Sequence, residues 1–273
     1  REQVGDAEAL RGPQNQLAHG YTAPQTWRTA VPEELYPTSY IRDRTVDWLG
    51  QRNDTEDPYF CFVSFPDPHH PFTPPGQYWD LYKPEQMTLP ASFGAHQNPP
   101  PTLDWARREF ESGDAAEDST SAFMVSERHV LETMALTCGM TAMIDDAIGA
   151  ILAALQALPS DRPTIIAFTT DHGDFLGDHG LMLKGPMHFD GLVRVPFIWN
   201  DPEADQVPVA DGLSGTIDIA RTVLARAGLA PYNGIQGQDL GATMTSGKSG
   251  RRSILIEDDG NRAYLGFSEP PRL

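Results

Sequence analysis

The run TIIAFTTDHGDFLGDHGLMLK, residues 164–184, carries the clearest architectural signal in the chain. Its first seven residues are apolar or β-branched without a break, the composition of a strand buried on both faces. Asp171 and His172 follow at once, so a carboxylate and an imidazole stand at the carboxyl end of a central strand. In open α/β sheets ligands bind at that end. Gly173 then lets the backbone turn tightly, having no Cβ to clash. Asp-His-Gly recurs at residues 178–180, and Lys184 closes the run in an apolar Leu-Met-Leu setting.

Working outward, residues 127–158 hold the strongest helical period. Ile144, Ile148, Ile151, Leu152 and Leu155 recur at helical spacing, and Pro159 ends the segment. A shorter amphipathic helix is predicted over 39–49, with Ile41, Thr45, Trp48 and Leu49 on one face. Another runs over 217–227, with Thr216 at its start and Gly228 as its stop. Strands are predicted at 59–65 (YFCFVSF), 195–199 and 254–257. Strands alternating with helices give an α/β class with a mixed, largely parallel central sheet and helices on both faces. Residues 1–37 read as irregular. Residues 58–101 carry 11 of the 24 prolines, too many for regular structure, yet they include Phe72, Tyr78 and Trp79. They read as a long ordered loop, and residues 107–121 as a solvated acidic insertion.

The composition narrows the function. With 20 basic against 38 acidic residues among 273, the formal charge is −18, which argues against nucleic acid and against an anionic membrane surface as partners. No stretch reads as a membrane span or a signal peptide. Cys61 and Cys138 each lie in an apolar run and are expected as buried thiols. The chain opens at Arg1 and closes at Leu273 just past a strand-like segment, so both ends read as cut.

Asp171 and His172 suit a divalent cation, oxygen for a hard ion and nitrogen for a borderline one. Taken alone, an Asp-His-Gly is more often a capped turn. In PDPHHPFTPP, residues 66–75, His69 and His70 are neighbours that in extended chain point to opposite sides, so one is expected to be functional and the other structural. Lys184 can place a point charge on an anionic substrate, although a lone lysine is more often a snorkelling surface residue. Arg194 is expected as an ion-pair former. There is no glycine-rich phosphate loop, Gly-x-Ser-x-Gly elbow or His-Glu-x-x-His helix.

Together these segments resemble the sulfatase family of the alkaline-phosphatase-like superfamily. Four motifs occur in the family's order. Residues 62–65 (FVSF) and 68–72 (PHHPF) are similar to its Pro-His-x-Pro motif after a core strand. Residues 140–152 (MTAMIDDAIGAIL) are similar to its Ile-Asp-Asp-x-Ile-Gly helix. Residues 170–184 resemble the metal segment with a downstream lysine, and residues 189–199 (FDGLVRVPFIW) the Arg-Val-Pro stretch. The resemblance spans roughly residues 38–258. It implies an alkaline-phosphatase-like core over 38–250, the C-terminal part of a catalytic domain, with a smaller subdomain beginning in 251–273. It further implies metal-dependent hydrolysis of a small-molecule or glycan sulfate ester. By that likeness His69 assists departure of the alcohol, Lys184 holds the sulfate oxygens, and Asp171 and His172 are metal ligands. Asp174 and His179 are candidates to support them from behind. Calcium is the favoured ion, with manganese or zinc as alternatives. The family's nucleophile, a formylglycine made from a Cys/Ser-x-Pro/Ala-x-Arg motif, has no counterpart at Cys61 or Cys138, and the family's N-terminal aspartate pair is absent too. A phosphonate monoester or phosphodiester hydrolase of the same superfamily, or a non-catalytic metal-binding remnant, are the alternative readings.

Overall fold

The computed structural model describes residues 12–52, 57–115, 117, 120–159, 163–248 and 250–257. Its regular elements are α1 (Pro37–Gly50), α2 (Pro101–Ser112), β1 (Phe123–Met124), α3 (Glu127–Gln156), β2 (Ile166–Thr169), β3 (Leu181–Met182), α4 (Asp190–Val193), β4 (Phe197–Asn200), α5 (Ile217–Arg226) and α6 (Gly241–Ser246), with short 3-10 turns between some of them. The described residues form two compact units, one within 1–160 and 174–191, the other within 161–173 and 192–261.

The first unit is built on α3. Ser126 caps it, its hydroxyl accepting the His129 N–H at 3.3 Å, which satisfies one of the amide groups a helix start leaves unpaired. Val130, Leu136 and Met140 enter a core completed by Phe72, Trp79, Phe123, Val125, Met182 and Leu183. The proline-rich segment is therefore ordered because it contributes Phe72 and Trp79 to that core, as its aromatic content predicts. Helix α1 starts at Pro37, where a missing N–H costs nothing, and packs along α3. Strand β1 pairs antiparallel with β3, which fixes the chain just before Lys184.

In the second unit, β2 and β4 pair antiparallel, with Phe168 opposite Ile198. Helix α5 ends at Gly228, whose φ of 69° is the left-handed conformation a helix stop requires. The Asp218 carboxylate, fully buried, receives Arg251 through two bonds of 2.7 and 2.9 Å and the N–H groups of Gln238 and Gly215 at 2.8 and 2.9 Å.

The α/β class stands, but several details differ from the sequence reading. Both ladders among the described residues are antiparallel, whereas a largely parallel sheet was expected. Residues 59–65 form no strand: Phe60 and Phe62 are exposed, because β-rich composition makes a strand only when a partner supplies the ladder. Phe168 and Ile198 are 40% and 59% exposed, so the run at 164–170 is not buried on both faces. Residues 254–257 form no strand, and 258–273 lie outside the described residues. The expected acidic insertion is partly α2, which begins at Pro101 and buries Leu103 and Ala106. Cys61 is exposed and Cys138 half-buried, both as free thiols. Arg194 is exposed and forms no ion pair among the described residues. Helix α3, by length and composition alone, is apolar enough to cross a membrane, where the sequence reading finds no such stretch. The structure gives its apolar side a place in the core of the first unit.

Candidate active site

His69 sits in a turn, its N–H donating to the Pro66 carbonyl at 3.2 Å. The turn is anchored on both sides. Asp67 accepts the hydroxyl of the buried Thr38 at 2.5 Å, and the Phe72 N–H donates to the Gln25 carbonyl at 2.8 Å. The Asp67–Pro68 and His70–Pro71 peptide bonds are cis. Because the backbone is turned rather than extended, the rings of His69 and His70 do not point apart. They stack at 4.0 Å with 32° between their planes, His70 buried and His69 exposed, which corrects the expectation of opposed directions.

The hydrogen bonds assign the protons of His69. Its Nδ1 lies 2.6 Å from the His70 carbonyl, which can only accept, so Nδ1 carries hydrogen. Nε2 then presents a lone pair, and the Lys184 ammonium donates to it at 2.7 Å. The structure thus joins two residues 115 positions apart in the chain.

Asp171 and His172 lie in the second unit. The His172 Nδ1 donates to the Gly173 carbonyl at 2.7 Å, leaving Nε2 as an acceptor 3.6 Å from Asp171 Oδ2. A metal-binding imidazole characteristically ties its other nitrogen to a carbonyl in this way. Burial pushes the Asp171 carboxyl up, but the His172 backbone N–H, the neighbouring His172 imidazole and the Thr170 hydroxyl outweigh it and hold the pKa below its ordinary value. The donor set therefore fits a divalent cation with one oxygen and one nitrogen. No group of three or more His, Cys, Asp or Glu suited to a metal occurs among the described residues.

Asp174 and His179 are placed in the first unit. Asp174 Oδ1 accepts the N–H groups of Leu176 and Leu183 at 2.9 and 3.0 Å. The His179 Nδ1 meets His96 Nε2 at 2.6 Å, and its ring lies 3.7 Å from that of Phe189. Burial lowers the His179 pKa, against the pull of Asp178 and with the help of His96. Ser92 donates to Asp178 and accepts the His179 N–H. The sequence reading missed Thr38, Asp67 and His96. His96 stands among prolines with no motif around it, and Asp67 directly precedes the PHHPF motif without belonging to it, so only tertiary closure brings out their roles.

A sequence model described as Sulfatase matches residues 9–229. The chain belongs to the sulfatase family. An arylsulfatase of Clostridium perfringens is 31% identical over 212 residues, covering 76% of this chain and 42% of that protein. The multifunctional alkaline phosphatase superfamily protein PehA of Trinickia caryophylli is 27% identical over 228 residues, covering 80% and 43%. Among solved structures, the phosphonate monoester hydrolase of Agrobacterium radiobacter superposes with a TM-score of 0.67 at 25% identity, covering 89% of this chain and 49% of that one. This sulfatase-family chain accordingly has an alkaline-phosphatase-like fold and spans less than half the length of the relatives it matches.

Proposed function

We propose that this chain belongs to a sulfuric ester hydrolase in which Lys184 binds sulfate oxygens and His69 protonates the departing alkoxide. The observation that carries this reading is the 2.7 Å contact between Lys184 Nζ and His69 Nε2. With Nδ1–H held by the His70 carbonyl, any further proton on the ring goes to Nε2, the atom beside the Lys184 ammonium. A sulfate oxygen arriving there takes over a Lys184 N–H, which frees Nε2 for the ester oxygen. Lys184 then neutralises charge on the sulfate, and His69, once Nε2 has taken up a proton from solvent, delivers that proton to the leaving oxygen and returns to its Nδ1–H form, as a poor leaving group needs. Asp171 and His172 are the residues that would hold a divalent cation, with calcium favoured and manganese or zinc as alternatives. A cation bound there would supply positive charge and Lewis acidity at that end of β2. The attacking group, by family likeness a formylglycine, is not among these 273 residues.

A second reading is phosphonate monoester or phosphodiester hydrolysis. It is favoured by the likeness to the Agrobacterium phosphonate monoester hydrolase, because the same cationic and proton-donating groups serve a phosphoryl centre. Initial rates of the full-length protein on an aryl sulfate, a phosphodiester and a phosphonate monoester separate the two. A kcat/KM highest for the sulfate supports the first reading, and one highest for a phosphorus ester supports the second. No turnover of any of the three points to a non-catalytic remnant.

A further inference from the structure

The segment leading to Lys184 is dense in left-handed backbone. Leu176, Gly177, His179, Gly180 and Leu183 all have positive φ, between 42° and 92°. For glycine this conformation is free. Leu183, at φ 64°, holds a bulky side chain in a region such residues avoid. It is 1% exposed, packed in the core around Phe72 and Met182, and immediately precedes Lys184. The backbone at Leu183 therefore sets the direction in which Lys184 leaves the core.

One carboxylate oxygen braces that conformation. Asp174 Oδ1 accepts the Leu183 N–H at 3.0 Å and the Leu176 N–H at 2.9 Å, tying the two left-handed leucines to a single point. The next residue completes the clamp, the Phe175 N–H donating to the Leu183 carbonyl at 2.9 Å. Both backbone polar groups of Leu183 are thus committed to residues 174 and 175. Backbone strain of this kind persists where surrounding contacts over-determine it, and it concentrates at functional sites.

We propose that Asp174 is a positioning residue for Lys184. By holding Leu183 in its left-handed conformation, it keeps the Lys184 ammonium within hydrogen-bond reach of His69 Nε2. The inference deepens the functional reading above and rests on it for the consequence in catalysis. Removing the carboxylate leaves the Leu183 N–H without its acceptor and lets the backbone relax toward negative φ, which swings Lys184 away from His69. Asparagine keeps an oxygen at the same position and keeps the clamp.

The test compares Asp174→Ala, Asp174→Asn, Lys184→Ala and the Asp174→Ala/Lys184→Ala double variant in the full-length protein. Nitrogen-15 shifts of the His69 ring report the Lys184 contact without requiring turnover. Asp174→Ala is expected to move the Nε2 signal in the same direction as Lys184→Ala, and Asp174→Asn to leave it in place. In aryl-sulfate kinetics, Asp174→Ala and Lys184→Ala are each expected to lower kcat/KM about a hundredfold, as for a misplaced catalytic group. Asparagine is expected to restore most of the rate. The double variant should be no worse than Lys184→Ala, since the two losses are one loss. If Asp174→Ala does not fold, Asp174→Glu, which displaces the acceptor by one methylene, should shift the His69 signal in the same direction. An unchanged His69 signal in the folded variant, or losses that multiply in the double variant, overturns the proposal and leaves the roles of His69 and Lys184 standing. Full turnover by Lys184→Ala overturns those roles instead, and the His69 signal still decides whether Asp174 sets the contact.

Discussion

At the scale of the residue, His69 and His70 divide their work through one stacked pair of rings. His69 offers Nε2 to Lys184, whereas His70 is buried beneath it and holds His69 Nδ1 through its backbone carbonyl. Substituting His70 leaves that carbonyl in place. His69→Ala should therefore cost more sulfate-ester turnover than His70→Ala, while His70→Ala should lower thermal stability more, by about 1–2 kcal/mol for a buried ring. Paired kinetics and melting curves check both halves, and a larger kinetic loss for His70→Ala would place the proton donor one residue on. Lys184→Ala should abolish most turnover yet shift stability by no more than about 0.5 kcal/mol, since its ammonium contributes no core packing.

At the scale of the element, helix α3 depends on the absence of a side chain at Gly139. A Cβ there would collide with the backbone carbonyl of Tyr78, which is not a group that can swing aside. Gly139→Ala, ordinarily favourable in a helix, should instead destabilise by about 1–3 kcal/mol, as overpacking does, and urea unfolding measures this. In the second unit, α5 is tied to the chain beyond it by Asp218. Burial pushes that carboxyl up, but the Arg251 fork and the Gln238 and Gly215 N–H groups outweigh burial and hold its pKa below the ordinary 3.8. A carboxyl depressed in the folded state stabilises fully above its unfolded value and loses that contribution as pH falls through the lower folded value. The stability gap between the native protein and Asp218→Asn should therefore be constant from about pH 5 to 7 and narrow below about pH 4. A gap that widened on acidification would contradict the ion-pair account.

At the scale of the molecule, the metal question turns on ligand count. Calcium takes about 6–8 oxygen donors and zinc sites use about 3–4 protein groups. Asp171 and His172 offer two, and the described residues hold no cluster of three. Calorimetric titration of the 273-residue chain with calcium or manganese should therefore show weak binding, with no tight one-to-one transition. Tight stoichiometric binding would mean that this chain assembles a complete coordination shell. Exposed Phe60, Phe62, Ile198 and Leu255 should also make the isolated chain prone to associate, measurable by sedimentation.

Local chemistry and periodicity were legible along the chain. The apolar repeat from Ile144 to Leu155 marked α3, Gly228 marked the end of α5, and the aromatics among the prolines marked an ordered loop. The ordered motifs marked the family and put His69, Lys184, Asp171 and His172 forward together. The remaining features depend on contacts between distant segments. Whether YFCFVSF becomes a strand depends on a partner for its backbone, and no described strand supplies one. The stacking of His69 on His70 depends on a turn held by Thr38 and Gln25, residues far from it in the chain. The clamp of Asp174 on Leu183 exists only because the chain folds back between them, the Phe175 and Gly177 N–H groups donating to the Leu183 and Leu181 carbonyls. Local sequence states what each residue is able to do; which groups meet is settled by long-range closure, whose contacts leave no periodic trace in the chain.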